Sequence, residues 1–227
     1  MPKKKIIVGI NKVVRDASKK RAFHNKYVIG IDEVGRGPLA GPIVVAAVAT
    51  PSGFRPRVGD LPLRDSKKLT ALQKEGWFEY VRQEPRISFA TARVYPKNID
   101  RLNVSRAANR AATRAFLKLA TSQWGLGSVA KVYLDGGLYL DKRPLLANGY
   151  SPNSKTLVRG DEKINAIKLA SIVAKVQRDR YMVKLHNKYP QYGFDEHKGY
   201  GTKKHRQAIK KYGIAYCHRK SFCKFVL

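Results

Sequence analysis

Only 16 acidic residues face 46 lysines and arginines in this 227-residue chain, so carboxylates that fall at the ends of predicted elements carry information. Asp32 and Glu33 adjoin where the apolar run "YVIGI" stops, Asp135 ends "VAKVYLD", and Asp161 follows a glycine in "RGDEK". Each has a simple local reading: Asp135 as a turn residue before two glycines, Asp161 as a helix N-cap, Glu33 as a partner for Arg36. One cluster of all four has a chemical reading. Crowded carboxylates take up protons unless a cation neutralises them. Mg²⁺ prefers oxygen ligands and binds carboxylates together with substrate phosphates. Two such ions about 4 Å apart activate a water and stabilise the leaving oxygen of a phosphoryl displacement.

The elements that must bring these acids together can be traced along the chain. "YVIGID" and "PIVVAAVAT" lack the alternation of half-exposed strands and predict strands buried on both faces. Thr70 with Gln73 forms a capping-box pattern and predicts a helix start, and "RISFATARVY" returns to strand character. Val104, Ala107, Ala108, Ala111, Ala115 and Leu119 recur at helical spacing from Asn103 to about Ala120. "VAKVYLD" and "SKTLV" predict two more strands. A long helical stretch follows, from Asp161 in the N-cap position through "RDRYM". Thr202 predicts the start of a basic helix that Gly213 ends. Strands and helices thus interleave as in an α/β sheet, where the carboxyl ends of neighbouring strands meet at one edge.

The formal charge of +30 attracts polyanions, nucleic acid first among them. Residues 1–26 predict a basic N-terminal arm. Arg106, Arg110, Arg114 and Lys118 recur at every fourth position of one predicted helix, an arrangement that costs helix stability; either something acidic faces this stripe or it is solvated. No segment approaches a membrane span or a signal-peptide core, so a cytoplasmic protein without a membrane partner is expected. Cys217 and Cys223, with His218 between them, match no usual zinc spacing and are expected to be reduced structural thiols.

The ordered strings "DEVGRGPLAGP", "DSKKL", "YLDGG", "GDEKINAIKLASIVAKVQRDRYM", "HKGYGTKKH" and "HRKSF" resemble the type 2 ribonuclease H family in its bacterial ribonuclease HII form, over roughly residues 27–222. The resemblance implies an RNase H-like α/β fold, a mixed central sheet flanked by helices, as a catalytic domain over 27–188 with a small helical extension over 189–227. It implies endonucleolytic cleavage of RNA in RNA–DNA hybrids, and on the 5′ side of single ribonucleotides embedded in duplex DNA. The products would carry 3′-hydroxyl and 5′-phosphate ends, and the roles implied are ribonucleotide excision repair and DNA replication. Asp32, Glu33, Asp135 and Asp161 match the family's metal-binding catalytic acids, with Mg²⁺ or Mn²⁺ as a two-metal cofactor. Gly35, Arg36, Gly37 and Tyr200 match its readers of the ribonucleotide junction, and Lys67 and Lys68 its phosphate-contacting segment. Thr202, Lys203 and Lys204 are weaker phosphate candidates. The family's bacterial members usually act as monomers without an obligatory protein partner.

Asp179 in "RDR" competes for the place of fourth acid. One continuous helix from 161 to 179 would separate the two acids by roughly 27 Å, so Asp161 is preferred and Asp179 is assigned to a nearby arginine. The sequence departs from the family in "INAIKLA", where Lys168 replaces a typically small residue. The rivals are the sister ribonuclease HIII, whose additional amino-terminal domain a 26-residue arm cannot supply, and a non-catalytic basic nucleic-acid-binding protein on the same fold.

Overall fold

A computed structural model describes residues 26–61, 63–64, 66–121 and 129–226 of the chain. The predicted basic arm lies outside them except for Lys26, whose carbonyl accepts a hydrogen bond from Ser52 N at 2.8 Å. Five strands form one sheet among the described residues: β1 (Tyr27–Val34), β2 (Ile43–Pro51), β3 (Ser88–Val94), β4 (Val129–Asp135) and β5 (Ser154–Leu157), in the order β3-β2-β1-β4-β5. β1 and β2 pair antiparallel, as do β2 and β3, whereas β4 runs parallel to both β1 and β5. The sheet is therefore mixed, as the resemblance implied. β2 is buried at every position, which explains its unbroken apolar run.

Two helices cover the faces of β1 and β2. On one face, α3 (Val104–Ala120) buries Ala107, Ala108, Ala111, Ala112 and Ala115 with Phe116 against the sheet. The small side chains let the helix lie close, and burying Phe116 contributes roughly 2 kcal/mol. The opposite face belongs to α6 (Asn165–Lys188), which packs with Trp77, Phe78 and Val81 of α1 (Ala71–Gln83). Thr70 and Gln73 form the capping box reciprocally: Gln73 N donates to Thr70 Oγ1 at 3.2 Å and Thr70 N to Gln73 Oε1 at 2.9 Å. α6 crosses β1 so closely that a Cβ on Gly30 would stand 2.2 Å from the Ala166 carbonyl carbon, so a side chain there would push the helix off the strand carrying Asp32.

The long helix differs from expectation at its start. Gly160–Lys163 forms a separate short turn, α5, and Ile164 is extended (φ −116°, ψ 119°) before α6 begins. Asp161 is therefore not an N-cap; Arg159 holds that position in the left-handed region. The cause is a tertiary contact that local sequence does not reveal: the Asp135 carboxylate caps this turn, accepting from Gly160 N at 2.6 Å and Asp161 N at 3.3 Å. Asp179 pairs with Lys175 at 2.8 Å, not with an arginine. Lys168 is half-buried on α6.

Shorter helices α2 (Pro96–Leu102) and α4 (Lys142–Ala147) connect the strands. Beyond Lys188 the chain forms α7 (Phe194–His197) and α8 (Lys203–Tyr212), the latter capped by Thr202 and ended at Gly213. This extension builds its own apolar cluster from Tyr192, Phe194, Ile209, Cys217 and Cys223, and closes it over Leu39 and Ala40 of the loop between β1 and β2. The two cysteines are free thiols, and burial pushes Cys217 up to about 12. No helix among the described residues is long and apolar enough to cross a membrane.

Candidate active site

The register of the parallel strands assembles the acids. Ile31 pairs with Leu134, so Asp32 and Asp135 follow side by side at the strand ends, and Asp135 in turn pairs with Leu157, three residues before Gly160. One oxygen from each of Asp32, Asp135 and Asp161 lies within 4.8 Å of the others. Asp32 and Asp161 are buried, with 5% and 6% of their surface exposed. Glu33 does not join this group of three. Arg36 holds it, with NH1 3.2 Å from Oε1, while the other oxygen, Oε2, is buried with no hydrogen-bond partner among the described residues.

Burial, and then the charges of Glu33 and Asp135, hold the Asp32 carboxyl well above the usual carboxylate range; hydrogen bonds from Ser171 and Glu33 N pull the other way. Glu33 is likewise raised, chiefly by burial, with Arg36 opposing. Without a cation such a cluster retains a proton. Its donors are all carboxylate oxygens, the set that suits hard divalent ions, and the orphaned Glu33 Oε2 is a buried acceptor lacking a donor. The residues present thus fit a divalent metal.

Serines missed by the sequence analysis support the cluster. Ser171 on α6 hydrogen-bonds Asp32, and its Oγ lies 2.8 Å from Ser66 Oγ, which begins the short turn Ser66–Lys68. That contact places Lys67 at the site: its ammonium lies 3.8 Å from Asp161 Oδ2 while the side chain remains 82% exposed. Lys68 is exposed beside it. Both serines lie inside strings that carry the family resemblance, and those strings were the available signal.

Gly35, Arg36 and Gly37 follow β1 directly, and the two glycines differ. Gly35 has φ +91°, and a Cβ there would stand 2.4 Å from Arg178 Nε, so both backbone and packing require glycine. Gly37 is exposed, and an added Cβ would meet nothing within 4 Å. Arg36 extends from Glu33 to Ser105 at the start of α3, donating to its Oγ at 3.0 Å.

Tyr200 faces Arg178, whose guanidinium carbon lies 5.7 Å from the ring centroid; Arg178 itself is buried and donates to Pro42 O and Ala40 O. The ring of Tyr200 is 41% exposed. Its backbone is fixed by histidines that local patterning did not single out. His205 Nδ1–H donates to Tyr200 O at 2.9 Å, which leaves His205 Nε2 to accept from His218 Nε2–H at 3.1 Å, and His218 Nδ1 accepts from Ala215 N. His197 donates from Nε2 to Tyr192 O and accepts at Nδ1 from Gly199 N. Burial lowers His205 and His218 to about 4, which matches these neutral tautomers.

The predicted stripe on α3 is exposed at Arg106, Arg110, Arg114 and Lys118, and no acid pairs with it among the described residues. Lys118 donates to Thr91 O at 3.3 Å. The structure therefore gives the solvated arrangement. Thr202 caps α8, and Lys204 is engaged with Glu196 at 2.8 Å; Lys203 is exposed.

Comparison with known proteins adds independent findings. The sequence profile of the family described as ribonuclease HII matches residues 29–225. The chain is 42% identical over 206 residues to a ribonuclease HII of Endomicrobium trichonymphae, covering 89% of each chain. Its fold is similar to the crystal structure of ribonuclease H2 from Pyrococcus horikoshii, with a TM-score of 0.65, 27% identity, and 88% and 96% of the two chains covered. It also shares its fold with Bst-RNase HIII, whose structure was determined in complex with Mn²⁺, at a TM-score of 0.62 and 19% identity over 88% of this chain and 69% of that one.

Proposed function

The chain belongs to the ribonuclease HII family and is a metal-dependent hydrolase with type 2 ribonuclease H activity, and from that premise we propose which of its residues act and on what. Asp32, Glu33, Asp135 and Asp161 hold two divalent ions, Mg²⁺ or Mn²⁺. The observation that carries this reading is the convergence of three carboxylates within 4.8 Å at the ends of adjacent strands, beside a buried Glu33 oxygen with no partner. When bound, such ions supply Lewis acidity and a water of lowered pKa for phosphodiester hydrolysis.

The chain's own groups do the rest. Asp135 is oriented by the amides of Gly160 and Asp161, and Asp32 by Ser171 and the Glu33 amide, so two ligands are fixed before any ion arrives. Such outer partners orient metal ligands and are costly to remove. Arg36 turns Glu33 by one oxygen and leaves the other for the site. Lys67 lies close enough to the acids to meet a phosphate held there, and Lys68 extends the same contact.

The substrate is an RNA–DNA hybrid or duplex DNA carrying ribonucleotides, cut on the 5′ side of the ribonucleotide to leave 3′-hydroxyl and 5′-phosphate ends. A 2′-hydroxyl distinguishes RNA from DNA, and reading it requires close backbone approach. Gly37 leaves that space open, Gly35 and Arg36 shape the loop, and the half-exposed Tyr200 ring stacks on the following sugar. On this reading the enzyme works in the cytoplasm, in ribonucleotide excision repair and replication.

The test is a labelled duplex with a single embedded ribonucleotide, incubated with Mg²⁺ and mapped at nucleotide resolution. One cut 5′ of the ribonucleotide by the parent, and none by Asp32→Asn despite retained binding, is expected. Equal cutting by the variant, or cutting at deoxynucleotide steps, would contradict the proposal.

A further inference from the structure

The segment after α8 carries "HRKSF", a string to which the proposed chemistry assigns no part. Its Arg219 is fully buried, yet its guanidinium bonds only to carbonyl oxygens of the loop after β1. NH2 donates to Gly35 O at 2.6 Å and Gly41 O at 2.9 Å, NH1 to Arg36 O at 2.8 Å, and Nε to Gly41 O at 3.1 Å. The backbone is tied to the same loop: Arg219 N donates to Leu39 O, and Gly41 N to Cys217 O. On its outer side, Lys220 N and Ser221 N donate to the Asp100 carboxylate of α2 at 3.0 and 3.1 Å.

A trans peptide points its C=O and the following N–H in opposite directions. Fixing Gly35 O and Arg36 O on the guanidinium therefore fixes the N–H groups of Arg36 and Gly37 on the side away from it. Neither N–H has an acceptor among the described residues. Both border the open space at Gly37, where a ligand can reach them. We propose that Arg219 is a positioning residue for ribonucleotide recognition: its fork of bonds to Gly35, Arg36 and Gly41 aims the Arg36 and Gly37 amides at the sugar. Lysine, a point charge with no planar fork, cannot reproduce those bonds.

The proposal rests on the reading of the Gly35–Gly37 loop given above. A merely structural Arg219 would tie the carboxyl-terminal segment down, as Asp100 does, and the two are compared directly. With the full chain and Mg²⁺, Arg219→Lys is expected to lower kcat/KM on the single-ribonucleotide duplex by about 100-fold, the scale of a 1 Å misplacement. Its Mn²⁺ affinity should stay at the parent's value, while Asp100→Ala should keep parental kinetics despite its looser segment. Matching kinetics in the two variants would overturn the proposal. A second measurement needs no variant: the ¹⁵N order parameters of Arg36 and Gly37 in the parent should be near 0.85, and values below about 0.6 would equally overturn it. If the parent leaves the duplex uncut, the reading of the substrate fails, and the order parameters still decide whether Arg219 fixes the loop.

Discussion

The strand-end acids and the carboxyl-terminal extension both crowd ionisable side chains into buried space, and they resolve the crowding in opposite ways. In the extension, the ring nitrogens of His197, His205 and His218 find partners, and Arg219 directs its donors to carbonyls. At the strand ends, burial and the neighbouring charges of Glu33 and Asp135 hold the Asp32 carboxyl well above the usual carboxylate range, and Glu33 keeps an unpartnered oxygen. Buried polar groups that are all bonded rigidify a structure, whereas those left wanting mark where a ligand belongs. On the proposed reading the strand-end acids are the site, and the bonded histidines and Arg219 are the scaffold that holds Tyr200 and the loop after β1 in place.

The largest test of that contrast is Asp32→Asn. Activity should fall by more than the ~100-fold seen at the upper end for outer-shell changes at metal sites, while metal-free stability stays level or rises because a buried ionisable carboxyl, unfavourable beside Glu33 and Asp135, is gone. Melting curves and cleavage rates measured together check it; a large loss of stability would make Asp32 part of the scaffold.

The two glycines sharpen the contrast within one loop. Gly35→Ala should cost about 1–3 kcal/mol, since it forces a left-handed residue and meets Arg178. Gly37→Ala should change stability by less than about 0.5 kcal/mol, because its Cβ meets no protein atom within 4 Å, yet on the proposed reading it should reduce cleavage by filling space left for the substrate. Denaturant titration beside single-turnover cleavage separates the two effects.

The regions should also respond to pH with opposite sign. His205 and His218 titrate near 4 when folded against 6.5 when unfolded, so the unfolded state binds more protons between those values. Their contribution is present above 6.5 and is lost as pH falls toward 4. Asp32 is raised above 3.8, so its contribution is present in acid and is lost as pH rises through the folded pKa. Mg²⁺ competes with that proton, and the gain in Tm on adding it should be larger at neutral pH than in acid. A gain that is flat or reversed with pH would remove the proton from the account.

The smallest effect expected is at the solvated stripe. Replacing Arg110 and Arg114 with Gln should lower the salt slope of duplex binding by about 0.9 for each phosphate no longer neutralised, and raise helix stability by a few tenths of a kcal/mol. An unchanged slope in a fluorescence titration would show that the stripe does not reach the duplex.

Most of the fold was legible because it is written in local pattern: the unbroken apolar run of β2, the alanine spacing of α3, and Thr70 with Gln73 at α1. The convergence of Asp32 and Asp135 was legible from strand ends alone. What escaped depends on contacts distant in sequence. Asp135 caps α5 across 25 positions and breaks the expected long helix, and Arg219 reaches Gly35 across 184. Local pattern does not distinguish Arg219 from the other basic residues of so basic a chain; its place in "HRKSF" was the available signal.

Calorimetric titration of the metal-free protein with Mn²⁺, in buffers of differing ionisation heat, tests the central claim most directly. The parent should bind with proton release that grows as the pH is lowered, since the raised Asp32 carboxyl must ionise to become a ligand, and Asp135→Asn should lose most of the affinity. Binding of equal strength in that variant would contradict the assignment of these carboxylates as the metal site.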